Sequence, residues 1–321
     1  MKAPKALNIL FMGTPGFAVP SLEILLENNY NVVGVVTVAD KPAGRGYQLQ
    51  ESDVKKAAVK HGLKILQPMD LKAPEFLQEL GDLKVNLIVI VAFRKLPKEV
   101  WAMPAYGTFN LHGSLLPNYR GAAPLNWALI NGEKETGVTT FFLDEKIDTG
   151  ELIDSRSIAI SENDTVGDVH DQLMMIGAAL VLKTVQAIEN ETYSLTNQND
   201  VLKGKEAKKA PKIFKKDCEL IWTKPANEIH DLVRGLSPYP AAYSTLLAPD
   251  GSKKKIKIFR TEKVSQKGNA GEVVTDGIGS LIICCGNNEG VKVLELQPEG
   301  KKRMKTADYL RGNKLTGCQF I

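Results

Sequence analysis

The sequence predicts an α/β protein: a Rossmann-like, doubly wound, mostly parallel sheet followed by a small OB-like β-barrel. Three observations carry this. Through residue 189, short wholly apolar runs alternate with segments of helical spacing, as expected of buried parallel strands joined by helices. From residue 213 the pattern becomes five short strand runs separated by turn residues. Between the two, 190–212 is polar and lysine-rich and reads as a basic linker. The expected division is a catalytic domain over 1–189, the linker over 190–212 and a barrel over 213–321. With 321 residues, 43% of them apolar, the chain is long enough to bury two cores.

Each element has a local reason. Asn8 to Met12 (NILFM) is a buried first strand ending at Gly13. GTPGFAVPSLEILLENN then opens a helix with Pro20 in its first turn, where a missing N–H is tolerated. This turn lacks GxGxxG spacing, and Pro15 removes an N–H that a phosphate would use. It reads as a tight strand-to-helix connection. Asn31 to Val38 is the second strand. The following ADKPAGRGYQLQ, 39–50, is a long polar loop carrying Lys41 and Arg45. An arginine between glycines is free to reach a phosphate or to stack on a base. A helix (Ser52 to His61), a short strand (Lys64 to Leu66) and a second helix (Ala73 to Leu80) follow.

Val85 to Ala92 (VNLIVIVA) is the most apolar run and the expected central strand, with Phe93, Arg94 and Lys95 at its carboxyl end. Pro97 to Trp101 begins a short helix, and Gly107 to Leu111 is the next strand. Pro124 to Asn131 is expected as a helix beneath the 114–123 loop. Thr136 to Leu143 and Leu152 to Ile160 suggest a hairpin bracketing Asp148, and Thr165 to Glu189 has apolar residues at helical spacing. In the second half a helix (Pro225 to Gly235) precedes the strand runs Ala242 to Leu247, Lys255 to Phe259, Gly271 to Val274, Ser280 to Cys285 and Val291 to Leu296. Thr306 to Leu310 is a last helical turn.

The N-terminus does not have the form of a secretory leader, because its apolar run is short and leads straight into a turn. No run approaches the ~18 to 20 consecutive apolar residues of a membrane span, so none is expected. The four cysteines, Cys218, Cys284, Cys285 and Cys318, show no paired metal spacing. They are read as reduced thiols of a cytoplasmic protein with no metal. The net charge of +4 hides an asymmetry: residues 1–200 hold 18 Lys/Arg against 24 Asp/Glu, and residues 201–321 hold 23 against 13. A basic second half suits a polyanionic partner, and it also suits a solvated lysine surface.

The chemistry concentrates in FNLHGSLLPNYRGAAPLNWALINGEKETGVTTFFLDEKIDTG, residues 109–150. Asn110 and His112 are two apart on a strand, so they share a face at its carboxyl end, where ligands of open α/β sheets collect. Asp148 follows in a glycine turn, and if that turn folds back its carboxylate meets His112. An amide, an imidazole and a carboxylate can together hold an oxyanion, move a proton and fix a tautomer. Taken singly, each has a structural explanation: a hydrogen-bonded histidine, a turn asparagine, an Asx turn. His112 stands out because it opens a loop too rich in Gly and Pro for core packing. The three other histidines, His61, His170 and His230, lie in helical, polar contexts. No Ser or Cys sits in a nucleophile elbow, and no metal-ligand spacing is present. Direct transfer between two bound substrates fits best.

That segment, with GTPGFAVPSLEILL, KPAGRG and IWTKPANEIHDLVRGLSPYPAA, resembles the N10-formyltetrahydrofolate-dependent formyltransferases over essentially the whole chain. The resemblance implies 10-formyltetrahydrofolate as formyl donor and Asn110, His112 and Asp148 as the catalytic set. It implies a folate pocket contributed to by Ser114, Leu115, Leu116 and Pro117, with Phe93 and Arg94 standing where relatives often carry Tyr-Gly. The KPAGRG loop and the basic barrel point within that family to methionyl initiator tRNA as acceptor. Arg45 and Lys41 would meet its acceptor end. Lys208, Lys209 and Lys212, from a stretch with seven lysines and one glutamate between Lys203 and Lys216, would meet its backbone. A monomer is expected. Two other readings stay open: a formyltransferase acting on a nucleotide-sugar amine, and a non-catalytic nucleic-acid-binding protein with a degenerate Rossmann half.

Overall fold

A computed structural model describes residues 6–43 and 48–321; Arg45 lies outside them. The chain forms two compact units, one from residues up to 121 with 137–158 and 170–209, the other from 122–136, 159–169 and 210–321.

The strands of the first half are, in chain order, β1 (Asn8–Gly13), β2 (Asn31–Val36), the short antiparallel pair β3 (Lys41–Ala43) and β4 (Gln48–Gln50), β5 (Ile65–Leu66), β6 (Leu87–Val91), β7 (Thr108–His112), β8 (Arg120–Gly121), β9 (Glu135–Phe142) and β10 (Leu152–Ala159). Seven of them make one sheet, ordered β10-β9-β7-β6-β1-β2-β5. β1 pairs parallel with β2 and with β6, β2 with β5, and β6 with β7. β9 runs antiparallel to β7. The winding leaves β1 in both directions, so the switch point lies at β1 and β6, next to the strand that carries Asn110 and His112.

The apolar runs become this sheet because both of its faces are covered. Every residue of β6 is buried, as are Ile9 to Met12 of β1. Burying a Leu, Ile or Phe side chain fully contributes about 1.5–3 kcal/mol, which is why these runs need no polar alternation. The helices begin where local chemistry predicts. α1 (Val19–Glu27) has proline in its first turn, and α2 (Asp53–Lys60) is capped by Ser52, whose hydroxyl accepts the Lys55 N–H at 3.1 Å. α3 (Pro74–Asp82) and α4 (Lys98–Trp101) match the expected segments within a few residues.

Two helices behave differently from expectation. α5 (Pro124–Ile130), expected beneath the 114–123 loop, belongs to the second unit, where the Asn126 side chain donates to Gly235 O at 2.7 Å. Its apolar face was legible; the surface it packs against was not. α6 (Val166–Glu189) is, among the described residues, the one helix long and apolar enough to cross a membrane by length and composition. Val169, Leu173, Leu180, Val181, Val185 and Ile188 along it are buried within the fold.

The stretch read as a linker carries α7 (Gln198–Leu202), capped by Asn197, and the whole of β11 (Lys209–Ala210). Thr196 exchanges two backbone hydrogen bonds with Leu152, at 2.9 and 3.0 Å. Polar composition hid this because the order comes from backbone pairing rather than from a periodic apolar face.

After α8 (Ala226–Leu236), the second unit builds a sheet of β12 (Ala242–Leu247), β13 (Lys253–Val264), β14 (Val273–Thr275), β15 (Leu281–Cys284), β16 (Gly290–Pro298), β17 (Met304–Lys305) and β18 (Gln319–Phe320), with α9 (Thr306–Arg311) between the last two. Its order is β14-β15-β16-β13-β12-β18, with β17 on β16, and the pairs are antiparallel. The two ends of this order meet: Glu272 bridges Gln319, and the Phe320 N–H donates to Gly271 O at 2.9 Å. The result is a nearly closed barrel around Trp222, Val233, Ile256, Ile283, Leu296 and Phe320. β13 is longer than its apolar run because its ends are exposed lysines and glutamate.

His230 on α8 is buried and bonded on both ring nitrogens, Nε2 to Glu162 O at 3.0 Å and Nδ1 to Thr261 Oγ1 at 3.0 Å. The carbonyl can only accept, so Nε2 carries the hydrogen and Nδ1 accepts from the threonine hydroxyl. Burial holds this imidazole below its ordinary pKa, with the bond to Glu162 partly opposing. The unfolded chain therefore binds the proton more tightly. The stabilisation is complete above the unfolded value of about 6.5 and is lost as pH falls through the lower folded value. The urea midpoint is expected to be lower at pH 5.5 than at pH 7.5, with a smaller drop in His230→Gln. Equal drops in both proteins would exclude His230 as the group.

Candidate active site

β7 ends at His112, and the register of β9 places Thr139 opposite it and Phe141 opposite Asn110. Asn110 is half-buried, and its side-chain amide has no hydrogen-bond partner among the described residues. His112 is 6% exposed. Its Nε2 lies 2.9 Å from Tyr119 O, and its ring meets Phe141 edge-on with centroids 6.4 Å apart. A carbonyl accepts, so Nε2 is the protonated nitrogen of the neutral ring. Nδ1 is then the nitrogen free to gain or lose a proton, and it faces Asp148 Oδ2 at 3.8 Å, ion-pair range but longer than a hydrogen bond. The hairpin turn thus brings Asp148 back to His112 across 36 residues of chain.

Asp148 has φ +55° and Tyr119 φ +62°, both left-handed. Such residues cost on the order of 1–3 kcal/mol and persist only where their surroundings over-determine them. Here they do. The Gly121 N–H donates to Asp148 Oδ2 at 2.9 Å, and the Tyr119 N–H to Lys208 O at 2.6 Å. At Gly150 any Cβ would overlap the Phe142 carbonyl oxygen, so the turn of IDTG requires glycine there.

The loop after His112 is braced from below. Thr139 Oγ1 donates to Ser114 O at 2.7 Å and accepts the Leu116 N–H at 3.2 Å, and Ser114 Oγ donates to Asn118 O at 2.7 Å. Ser114, Leu116 and Pro117 are buried, and Leu115 is half-buried. Of the remaining expected folate residues, Phe93 is half-buried at the end of β6. The Arg94 guanidinium lies over its ring and donates to Pro68 O at 2.6 Å and Met69 O at 3.1 Å. Lys41, Lys208, Lys209 and Lys212 are all exposed.

Sequence reasoning missed Tyr119, whose carbonyl sets the His112 tautomer, the Gly121 N–H and Thr139. It also missed Arg120 and Gln198: the half-buried Arg120 donates through Nε and Nη2 to Gln198 Oε1 at 3.0 and 2.6 Å. Burial draws the Arg120 pKa below the ordinary arginine value, against the attraction of Asp144 and Asp148. For Tyr119, Arg120 and Gly121 the only signal was their place in a loop rich in Gly and Pro; Thr139 lay in a strand run and Gln198 in the polar stretch read as a linker. No cluster of three or more metal-ligating side chains occurs among the described residues.

Comparison with known proteins decides the family. The formyl transferase family model matches residues 7–185, and that for the formyl transferase C-terminal domain matches 212–314. The chain belongs to the formyl transferase family. This formyl transferase is 50% identical over 312 residues to the methionyl-tRNA formyltransferase of Bacteroides thetaiotaomicron, covering 97% of both chains. It is 49% identical to that of Flavobacterium johnsoniae, over 95% of this chain and 96% of the relative. Among solved structures, an N-formyltransferase from Helicobacter canadensis in complex with folinic acid and dTDP-3-aminofucose superposes with a TM-score of 0.66 at 23% identity. That match covers 89% of this chain and 98% of that one. HypX from Aquifex aeolicus in complex with tetrahydrofolic acid gives 0.61 at 19% identity, covering 95% of this chain and 47% of that one. Both share the fold of this formyl transferase.

Thr139 is wholly buried. Thr139→Val keeps its shape and strips the Ser114 carbonyl and the Leu116 N–H of their partner. Leaving a buried polar group unpaired costs roughly 1–3 kcal/mol, so a clear fall in the urea midpoint is expected, with Thr139→Ser close to wild type. A valine variant as stable as wild type would refute the bracing role.

Proposed function

We propose that the chain transfers the formyl group of 10-formyltetrahydrofolate to the free amino group of methionyl initiator tRNA, with Asn110, His112 and Asp148 as the catalytic residues. The observation that carries the reading is near-50% identity, along 97% of both chains, to a relative named methionyl-tRNA formyltransferase. The solved structures that hold dTDP or dTDP-3-aminofucose are 23% identical or less and speak for the fold alone, so the sugar-amine reading is the weaker one. A tRNA acceptor places the reaction in the cytoplasm.

The chemistry follows from the parts. The methionyl amine attacks the formyl carbon as a neutral nucleophile and creates a tetrahedral oxyanion. The Asn110 amide, with no hydrogen-bond partner among the described residues, and a protonated His112 Nδ1 are the donors for that charge. Removing one donor of this kind costs ~10²–10³ in rate. The amine then loses a proton, and the folate nitrogen needs one as its C–N bond breaks. The protonated Nδ1, directly or through a water it orders, gives its proton to the folate nitrogen and recovers one from the amine, since Nε2 is committed to Tyr119 O. Asp148 orients the ring. Ser114 to Pro117, with their polar groups used internally, supply shape to the folate pocket. Lys208, Lys209 and Lys212, with Lys41 and Arg45, grip phosphates.

Asp148→Asn is expected to cut kcat by roughly 10²-fold or more, the scale of a lost transition-state interaction, and to change KM for the folate little. Steady-state kinetics check this, and a wild-type kcat in the variant would refute the role. Reversing charge at Lys208, Lys209 and Lys212 together should raise KM for methionyl-tRNA and flatten its salt dependence, leaving KM for the folate alone. Equal change in both constants would remove these lysines from the tRNA site.

A further inference from the structure

Gln198 is one of the few buried polar side chains of the first unit, 2% exposed, and it comes from the stretch that composition marks as a tether. The Thr196–Leu152 bridge sets it beside the 148–152 turn, and the Asn197 cap starts its helix there. Its amide nitrogen donates to Asp148 O at 3.1 Å and to Gly150 O at 2.7 Å, so both hydrogens go to one turn. Its oxygen takes both bonds from Arg120. The residue after Arg120 is Gly121, whose N–H holds the Asp148 carboxylate. The main chain and the side chain of Asp148 are thus held by one closed loop of hydrogen bonds drawn from three distant stretches, and of its members Asp148 is the one that faces His112.

Asp148 sits left-handed and 3.8 Å from Nδ1. Inside the turn Lys146 N–H and Thr149 Oγ1 bond to Asp144, but the bonds to the Asp148 and Gly150 carbonyls come from Gln198, and a carboxylate that swings by an ångström loses the ring. We propose that Gln198, clamped by Arg120, is the positioning residue that holds Asp148 against His112. The inference builds on the proposed catalytic role of Asp148.

The test uses the full chain. Gln198→Met removes all four bonds at similar volume. Gln198→Glu keeps the acceptor for Arg120 and turns a carboxylate oxygen toward two carbonyls. Small displacements of a catalytic group can cost up to ~10²-fold, so kcat is expected to fall at least about tenfold in each variant, with both KM values little changed. The fall should also be non-additive: Asp148→Asn with Gln198→Met should be no slower than Asp148→Asn alone. A purely structural role for Gln198 would multiply the two losses instead. The 15N shifts of the His112 ring, read without substrate, should move in the same direction in Gln198→Met and in Asp148→Asn. If Gln198→Met does not fold, Gln198→Glu carries the same kinetic and NMR comparison. Wild-type kcat, multiplicative losses or an unmoved His112 ring in a folded variant would overturn the proposal. Failure of the wild-type protein to formylate methionyl-tRNA would instead remove the acceptor assignment, leaving the ring shifts to decide the latch.

Discussion

The antiparallel register of β9 on β7 is the constraint on which the site depends. It sets Thr139 opposite His112, beneath the loop that follows, and it returns the chain through a turn whose tip carries Asp148. Side chains alternate faces along a strand, so a slip of one residue would turn Thr139 away from Ser114 and carry the hairpin end out of place. The bonds of Thr139 to Ser114 and Leu116 hold that register, and Gly150 lets the turn pass close to Phe142.

Around that register the protein satisfies its polar groups almost completely. Among the described residues a single buried side-chain atom, Ser21 Oγ, has no partner. The loop from 114 to 121 runs close to the core, where an unpaired N–H or carbonyl is expensive, and its bonds to Thr139, Asn118, Tyr119, Lys208 and Asp148 offset that cost. The same bonds hold Tyr119 and Asp148 in backbone conformations that a free loop would leave.

The arrangement divides labour within one imidazole. One nitrogen is fixed by a carbonyl and cannot change role without losing a buried hydrogen bond; the other faces a carboxylate. A tautomer settled in advance leaves a single nitrogen for proton exchange. Residues 201–321, most of which belong to the barrel unit, carry 23 Lys/Arg against 13 Asp/Glu.

Most of the fold was legible in the sequence. Runs such as NILFM and LIVIV can only be strands buried on both faces, and the change of pattern after residue 212 marks a different kind of sheet. Asn110 and His112 were legible as a pair because strand periodicity is local, and Asp148 because a glycine turn lay between two strand runs. The order of α7, the packing of α5 on α8 and the roles of Tyr119, Gly121, Arg120 and Gln198 were not. These residues act through backbone groups, or through partners 27 to 109 positions away, and no periodicity in a polar stretch records a partner at that distance. The sequence by itself therefore determined most of the elements and which polar residue types stand at the end of β7, because both depend on residue type and near neighbours. Only the tertiary structure decided which nitrogen of His112 is free and what holds Asp148 beside it, because hydrogen bonds between distant segments exist only once the sheet has closed their separation.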